Sequence, residues 1–184
     1  MTGALVVEQA TENDVSDIVA VFAANREDRG LFQESESEVR SNLGDFFVVR
    51  HAQRGVVGCA ALHRYSSTMA EILGVALRPA FQGQGIGLLL MQHCECVAKN
   101  AGIGRLWLAT IKPAYFARFG YKPISRWDLP ASVLLRKLGQ VFQQPVGRWL
   151  PAIFGRHTFM QRDTAREPDR DQSRGPWRTD GASL

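Results

Sequence analysis

The sequence has little cysteine: only Cys59, Cys94 and Cys96 occur in 184 residues. A low and odd number of cysteines excludes a framework of several disulfide bonds as the basis of the fold. Cys94 and Cys96 are two positions apart in a predicted helix, so their side chains point to nearly opposite sides and cannot bind one metal ion together. We therefore interpret all three thiols as buried and inert.

The sequence also lacks a run of Lys and Arg, apart from a tail in which both charges are mixed. The net charge of +4 comes mostly from scattered arginines, with no basic stripe and no interleaved aromatic residues, so we expect no nucleic-acid partner. No window of about 18 apolar residues is present, and the N-terminus has no basic segment followed by an apolar one. We expect no membrane partner and a cytoplasmic location.

The chain has 45% hydrophobic residues and is long enough for one hydrophobic core but too short for two typical domains. We therefore predict one domain over residues 1–162. An apolar segment interrupted by two prolines is expected to form a helical insert at about residues 131–155. Residues 163–184 have little apolar surface to bury, which predicts a disordered tail.

Hydrophobic periodicity and capping signals predict a mixed α/β fold. Thr11 with Asp14 begins a first helix, and Ser35 with Glu38 begins a second helix that ends at Gly44. The runs DFFVVRH, GVVGCAALHRY and MAEILGVAL predict an antiparallel meander of three strands. Further strands are predicted at LVVEQA, RLWLATI, YKPI and RHTFMQ, and a short helix at PAYFARFG. A longer helix is predicted to follow the glycines at positions 83–87 and to end near Gly102. One side of it is expected to be buried, namely Ile86, Leu89, Leu90, His93, Cys94 and Val97.

Three glycines, Gly83, Gly85 and Gly87, lie between a predicted strand and that longer helix. Such a turn presents unpaired main-chain N–H groups and the positive end of the helix dipole, and glycine lets an anion approach the main chain. The Gly-Lys-Ser/Thr of a P-loop and the G-x-G-x-x-G of a dinucleotide site are both missing. The cluster therefore predicts either a phosphate-binding loop of another kind or a tight strand-to-helix connection.

The stretch EILGVALRPAFQGQGIG resembles the central motif of the GNAT N-acetyltransferase superfamily, in which a strand, a proline and Q/R-x-x-G-x-G/A bind acetyl-coenzyme A. The predicted order of elements from Leu5 to Ile124 is similar to that fold. The resemblance implies that main-chain N–H groups of the glycine turn hold the pyrophosphate and that the preceding strand pairs with the pantetheine arm. It assigns these residues to acetyl-coenzyme A: Val75, Ala76, Leu77, Gln82, Gly83, Gln84, Gly85, Ile86, Gly87, Leu88, Thr110 and Phe116.

Within that superfamily the chain is most similar to short N-acetylglutamate synthases. The stretches GLFQESESEV, GVVGCAALHRY, AEILGVALRP, LWLATIKPAYFARFGY and WDLP each resemble a stretch of that family, in the same order. The sequence differs where Gln33 and Glu34 stand in place of basic residues, and where Ala109 precedes Thr110 in place of Thr-Thr. The family's C-terminal Arg-x-Ser-like motif can be matched to Arg156-His157-Thr158 only if a long insert follows Pro130.

Acetyl transfer from a thioester to an amine needs a base, an oxyanion donor and a proton for the thiolate. Glu71 is a candidate base or else a solvent-facing strand residue, and the N–H of Leu77 is a candidate donor to the thioester oxygen. Phe116 stands where many members of the superfamily have the tyrosine that protonates the thiolate. The hydroxyl of the adjacent Tyr115 is expected to turn away, because one helical step rotates it by about 100°. Water is then expected to protonate the thiolate.

Arg64 and Arg156 are candidates to bind a substrate carboxylate through a bidentate guanidinium. His63 faces either solvent or the acceptor cleft, and His93 is interpreted as a core histidine. These assignments predict an acetyl-CoA-dependent N-acetyltransferase whose acceptor is a small primary amine, with an amino acid such as glutamate as lead; a homodimer is compatible with them. The alternatives are a non-catalytic acyl-CoA-binding module that contacts a partner through residues 132–154, and an enzyme that acts on a different amine or on a protein.

Overall fold

The computed structural model of the chain describes residues 3–27, 31, 33–131, 133, 135 and 157–164. In this part of the chain, seven strands form one mixed sheet in the order β1-β2-β3-β4-β5-β7-β6, in which the β4–β5 pair is parallel and the other pairs are antiparallel. The strands are β1 Leu5–Gln9, β2 Phe46–His51, β3 Gly55–Arg64, β4 Met69–Leu77, β5 Arg105–Thr110, β6 Lys122–Ile124 and β7 Thr158–Asp163. The helices are α1 Val15–Ala23, α2 Glu36–Ser41, α3 Ile86–Asn100 and α4 Pro113–Ala117. The predicted mixed α/β fold is confirmed.

Helices cover both faces of the sheet. α3 packs on one face, where Leu90 and Cys94 join Leu106 in a buried cluster. α1 packs on the other face, where Ile18 lies in a second buried cluster with Val48. Because both faces are covered, the burial of β2 and β3 is nearly continuous along the strands. The predicted meander is confirmed, since β2 pairs with β3 and β3 with β4 in antiparallel register.

The second helix is shorter than predicted. α2 ends at Ser41 rather than at Gly44, and a separate 3₁₀ turn follows at Leu43–Asp45. Asn42 interrupts the helix because it takes a non-helical conformation and its side-chain amide donates to the carbonyl of Glu38 at 2.9 Å. The turn places Asp45 directly before the first residue of β2.

The buried stripe of α3 differs from the predicted one. Leu89, His93 and Val97 are only partly buried, whereas Met91 and Ala98 are fully buried. Ala98 has a small side chain, so the helix can approach the sheet closely on that side even though the residue is less apolar than leucine or valine. Packing against the sheet, rather than the apolar period alone, therefore sets the rotation of the helix.

The prediction for the cysteines holds for two of the three. Cys59 and Cys94 are buried, and burial raises the pKa of both thiols, that of Cys94 to about 12. Cys96 is exposed, so the prediction that it is buried is wrong. Two helical steps turn Cys96 away from Cys94 and toward the solvent side of α3.

Several predictions fall on the C-terminal part of the chain. The predicted insert at residues 131–155 lies outside the described residues except for 131, 133 and 135, and Arg156 and residues 165–184 lie outside them entirely. The prediction of a tail that begins at Asp163 is wrong for its first two residues. Asp163 ends β7, and the N–H of Thr164 donates to the carbonyl of Gly104 at 2.9 Å. Among the residues described, no helix has the length and apolar character needed to cross a membrane.

The first helix is anchored to the sheet through Asp14, whose side chain is 3% exposed. One carboxylate oxygen accepts from the N–H and the hydroxyl of Thr11 at 2.9 and 2.8 Å, and the other accepts from the guanidinium of Arg50 at 2.8 Å. Burial by itself would raise the pKa of Asp14, but the hydrogen bonds from Arg50 and Thr11 outweigh it and hold the pKa below its ordinary value. The ionised form therefore stabilises the folded state.

We expect Asp14→Asn to lower the free energy of unfolding by about 1–2 kcal/mol at pH 7. Because the pKa of Asp14 is lower in the folded than in the unfolded state, this contribution is present above the unfolded pKa and is lost as the pH falls through the folded one. Urea unfolding at pH 7 and near pH 3 measures the difference, which should shrink in acid. Asp17→Asn is the matched control, since the more exposed Asp17–Arg78 pair should contribute less than about 0.5 kcal/mol. An equal loss at both pH values would contradict the ionic role of Asp14.

Candidate active site

A cleft opens where β4 and β5 separate. The two strands pair only over Met69–Glu71 and Arg105–Trp107, and beyond these residues they diverge around a cleft of about 720 Å³. Ten of the twelve residues assigned to the cofactor from the sequence line this cleft: Val75, Ala76, Leu77, Gln82, Gly83, Gly85, Gly87, Leu88, Thr110 and Phe116. The exceptions are Gln84, whose exposed side chain donates to the carbonyl of Ala80, and Ile86, which is buried in the core.

A β-bulge in β4 shapes one wall of the cleft. Cys59 is opposite Ala76 and Ala61 is opposite Leu73, so Gly74 and Val75 together face a single residue of β3. Gly74 has a φ of +62°, a conformation that residues with a side chain rarely adopt. The bulge interrupts the regular β3–β4 ladder at Gly74 and Val75, two residues that line the cleft.

The main chain of Leu77 is directed into the cleft. The N–H of Arg78 donates to the carbonyl of Val57 at 2.8 Å, and Leu77 is opposite Gly58. In an antiparallel ladder, hydrogen-bonded pairs alternate with pairs that are not bonded to each other, so the N–H and carbonyl of Leu77 point away from β3. The carbonyl accepts from the side-chain amide of Asn25 at 2.9 Å.

Asn25 connects three parts of this wall. Besides its bond to Leu77, its amide donates to the carbonyl of Val21 in α1, and its carbonyl oxygen accepts from the side chain of Gln82 at 2.9 Å. Sequence reasoning missed Asn25, because 57 residues separate it from Gln82 and no local motif links them. The bonds join the end of α1 to the end of β4 and to the glycine turn.

The glycine turn has the geometry of an anion site. Gly83 and Gly85 have φ values of +75° and +79°, and no atom lies within 4 Å of the position that a Cβ would take at either residue. Gly85 immediately precedes α3, and Leu88 is the first residue of the helix whose N–H donates back to the carbonyl of Gly85, at 2.9 Å. The preceding N–H groups and the positive end of the helix dipole therefore face open space beside the cleft.

The opposite wall carries two cations and the aromatic rings of Tyr115, Phe116 and Phe119. Lys112 and Arg118 line the cleft on this side, together with Tyr115 and Phe116 from α4. The guanidinium of Arg118 lies 4.9 Å from the centre of the Tyr115 ring. Two positive side chains on the wall opposite the glycine turn favour the binding of an anionic ligand. The sequence reasoning did not single out either cation.

The prediction that the Tyr115 hydroxyl turns away from the cleft is wrong. Tyr115 lines the cleft, and its hydroxyl lies where a Cβ would stand if Gly87 carried one. Both Tyr115 and Phe116 reach the cleft because α4 is a single short turn: Phe116 packs partly into the core, while the longer Tyr115 extends toward α3. Burial raises the pKa of Tyr115, so its hydroxyl stays protonated at neutral pH.

Glu71 is the last residue of β4 that pairs with β5, and it directly precedes Ile72, which lines the cleft. It is opposite His63 on β3 and Trp107 on β5. It is 3% exposed and accepts a hydrogen bond from the hydroxyl of Tyr65 at 2.9 Å, so the reading of Glu71 as a solvent-facing strand residue is wrong. A buried carboxylate next to a cleft can take a proton from a ligand amine.

The residues expected to bind an acceptor carboxylate are not brought together. Arg64 is exposed, and because side chains alternate along β3 it lies on the opposite face of the sheet from His63. Arg156 lies outside the described residues. His63 lies on the Glu71 side of the sheet, and its Nδ1 is 2.6 Å from a carboxylate oxygen of Asp45. No sequence signal pointed to Asp45 or Tyr65.

Comparison with known proteins agrees with this geometry. Residues 9–121 match the acetyltransferase (GNAT) family. The chain is 35% identical over 133 residues to an amino-acid acetyltransferase of Mycobacterium tuberculosis, and the match covers 70% of this chain and 74% of that protein.

Solved structures are similar as well. A Mycobacterium tuberculosis protein in complex with CoA and a second ligand has a TM-score of 0.73 and 27% identity, over 86% of this chain and 98% of that one. An N-acetylglutamate synthase of Neisseria gonorrhoeae in complex with coenzyme A and N-acetyl-glutamate also has a TM-score of 0.73, with 23% identity over 89% of this chain and 36% of that one. The second likeness shows a common fold.

Proposed function

Because the chain belongs to the acetyltransferase (GNAT) family and uses acetyl-CoA to acetylate an amine, we propose that its acceptor is the α-amino group of a small amino acid, with glutamate as the lead. The observation that carries the proposal is Glu71, a carboxylate that is 3% exposed and directly precedes Ile72 in the wall of the cleft that also contains the glycine turn. The identity of 35% to an amino-acid acetyltransferase supports this acceptor class.

The residues of the cleft fit acetyl-CoA. The space in front of Gly83 and Gly85 and the start of α3 suit a pyrophosphate, and Lys112 and Arg118 add positive charge on the facing wall. When bound, acetyl-CoA supplies the thioester that activates the acetyl group. On this assignment, the glycine turn binds the pyrophosphate of acetyl-CoA. The edge of β4 that no longer pairs with β5 directs the thioester toward Glu71.

Three groups then carry the chemistry. The N–H of Leu77 points into the cleft and donates to the acetyl oxygen, where negative charge develops during attack by the amine. Glu71 removes a proton from the acceptor ammonium, because only the neutral amine is nucleophilic. Tyr115, rather than Phe116, supplies a hydroxyl within the cleft that can donate to the departing sulfur.

An α-amino acid brings a carboxylate into a region that is already acidic. Asp45 and Glu71 both lie on this side of the sheet, on either side of His63. A cation is needed to bind the carboxylate in such surroundings. We assign this role to Arg156 on the basis of the sequence.

We expect Arg156→Ala to raise the KM of the amino acid by about tenfold or more while the KM of acetyl-CoA stays within about twofold. Loss of the guanidinium from the acceptor site weakens binding of the acceptor carboxylate and leaves the residues proposed to bind acetyl-CoA unchanged. Arg64→Ala is the matched control, since Arg64 is exposed on the opposite face of β3 and should leave both constants unchanged. An unchanged acceptor KM in Arg156→Ala removes this residue from the site.

The acceptor class is tested by measuring kcat/KM for a panel of amines under saturating acetyl-CoA. Glutamate is compared with aspartate, glutamine and polyamines, and each acetylated product is identified by mass spectrometry. We expect an amino acid to have the highest value. A polyamine that exceeds every amino acid would contradict the proposal and leave the acetyltransferase assignment intact.

A further inference from the structure

Three polar side chains form a row across the sheet beside the candidate base. Asp45 precedes β2, His63 is near the end of β3, and Glu71 is opposite His63 on β4. Side chains that are directly opposite on one face of an antiparallel pair have Cβ atoms about 5 Å apart, which brings His63 and Glu71 within reach of each other, directly or through one water.

The orientation of His63 is fixed by its neighbours. Its Nδ1 lies 2.6 Å from the Oδ2 of Asp45, and since an ionised carboxylate only accepts hydrogen bonds, Nδ1 carries the proton. The ring of Tyr65 packs edge-on against it with 4.9 Å between ring centres, while the hydroxyl of Tyr65 donates to Glu71. The proton-accepting nitrogen of the neutral ring is therefore Nε2.

Exposure to solvent increases along the row from Glu71 through His63 to Asp45. Glu71 is 3% exposed, whereas the side chains of His63 and Asp45 are 16% and 28% exposed. A proton taken up by Glu71 must leave before the next turnover, and Glu71 has almost no surface from which to release it to solvent. His63 is the neighbouring titratable group on the way to the surface.

We propose that His63, held by Asp45, relays the proton from Glu71 to solvent. The inference rests on the proposed role of Glu71 in acetyl transfer. Glu71 takes one proton from the acceptor ammonium and becomes neutral, Nε2 of His63 then takes that proton and Glu71 returns to the carboxylate, and the imidazolium releases it to water. The carboxylate of Asp45 stabilises the imidazolium while it exists. His63 and Asp45 act through Glu71 and do not touch the acetyl group.

Kinetics of four variants test the relay. We expect His63→Gln and Asp45→Asn each to lower kcat by about tenfold or more, with the KM of acetyl-CoA within about twofold of wild type. His63→Ala should regain part of its lost kcat when imidazole is added, which a purely structural loss would not allow. His93→Gln is the matched control, because His93 lies on α3 and packs against Phe47 on the other face of the sheet. A kcat of His63→Gln within twofold of wild type, or no rescue of His63→Ala by imidazole, would overturn the relay.

A second measurement needs no turnover. In ¹⁵N spectra of histidine-labelled protein, we expect His63 to be in the Nδ1–H tautomer and to lose this preference in Asp45→Asn. The ring signals of His63 should also change in Glu71→Gln and not in Glu8→Gln, since Glu8 pairs with Arg50 on β1 and β2. Unchanged His63 signals in Glu71→Gln would disprove the coupling even if a histidine variant fails to fold.

Failure of the relay and failure of the proposed acceptor give different results. If glutamate is not acetylated, the kinetic ratios are measured with whichever amine the wild type acetylates. If the wild type acetylates no amine, the spectra alone decide whether His63 and Glu71 are coupled.

Discussion

Replacing Glu71 with Gln is expected to lower kcat by about 10²-fold or more while the KM of acetyl-CoA changes by less than about twofold. Glutamine has the same shape and can still accept the hydrogen bond from Tyr65, but it cannot take a proton from the acceptor. Steady-state kinetics at saturating amine measures the effect. The selective loss of kcat would identify Glu71 as a group that acts in the chemical step.

Two comparisons make this result specific. Glu8→Gln removes another carboxylate from the same sheet and should leave kcat unchanged, because Glu8 pairs with Arg50 far from the cleft. Raising the pH increases the fraction of neutral amine in solution, so the deficit of Glu71→Gln should shrink at alkaline pH. A variant that keeps at least half of the wild-type kcat would exclude Glu71 as the base.

Gly85→Asp is expected to weaken the binding of CoA by about 10²-fold or more relative to Gly85→Asn. Gly85 has a φ of +79°, so any side chain at this position costs conformational energy, but Asp and Asn tolerate it about equally. No atom lies within 4 Å of the position of the new Cβ, so steric conflict within the protein is small for both. The difference between the two variants therefore isolates the repulsion between one carboxylate and the pyrophosphate.

Calorimetric titration with CoA measures this difference, and thermal melts establish that both variants fold. The Gly85→Asn variant should bind CoA within about tenfold of wild type, since its side chain adds bulk beside the pyrophosphate but no negative charge. Equal affinities of the Asp and Asn variants would show that the pyrophosphate does not lie at the start of α3.

Local features of this protein could be predicted from its sequence. The capping signal at Ser35 depends on residues three positions apart, and each strand of the meander is one short apolar run of consecutive residues. The glycine turn is similarly local, because positive φ at Gly83 and Gly85 and the start of α3 follow one another along the chain. Ten of the twelve residues that the resemblance to the GNAT superfamily assigned to acetyl-CoA line the cleft, and eight of these ten lie in the continuous segment from Val75 to Leu88.

Features that depend on distant residues could not be predicted. The bond between Asn25 and Gln82 and the contact between His63 and Asp45 join segments 57 and 18 residues apart, and the interaction of two polar side chains over such separations leaves no periodic signal. The direction of Tyr115 depends on how α4 is set against α3, which helical geometry alone does not determine. The burial of Glu71 likewise depends on its neighbours in β3 and β5.

The most direct test of the account is the initial rate of CoA thiol release from acetyl-CoA as the glutamate concentration is varied. We predict a saturable rate that depends on glutamate, with one N-acetylglutamate formed for each thiol released, because the proposed site binds acetyl-CoA at the glycine turn and presents the acetyl group to an amine beside Glu71. Binding of acetyl-CoA without thiol release in the presence of glutamate or any other amino acid would contradict the account.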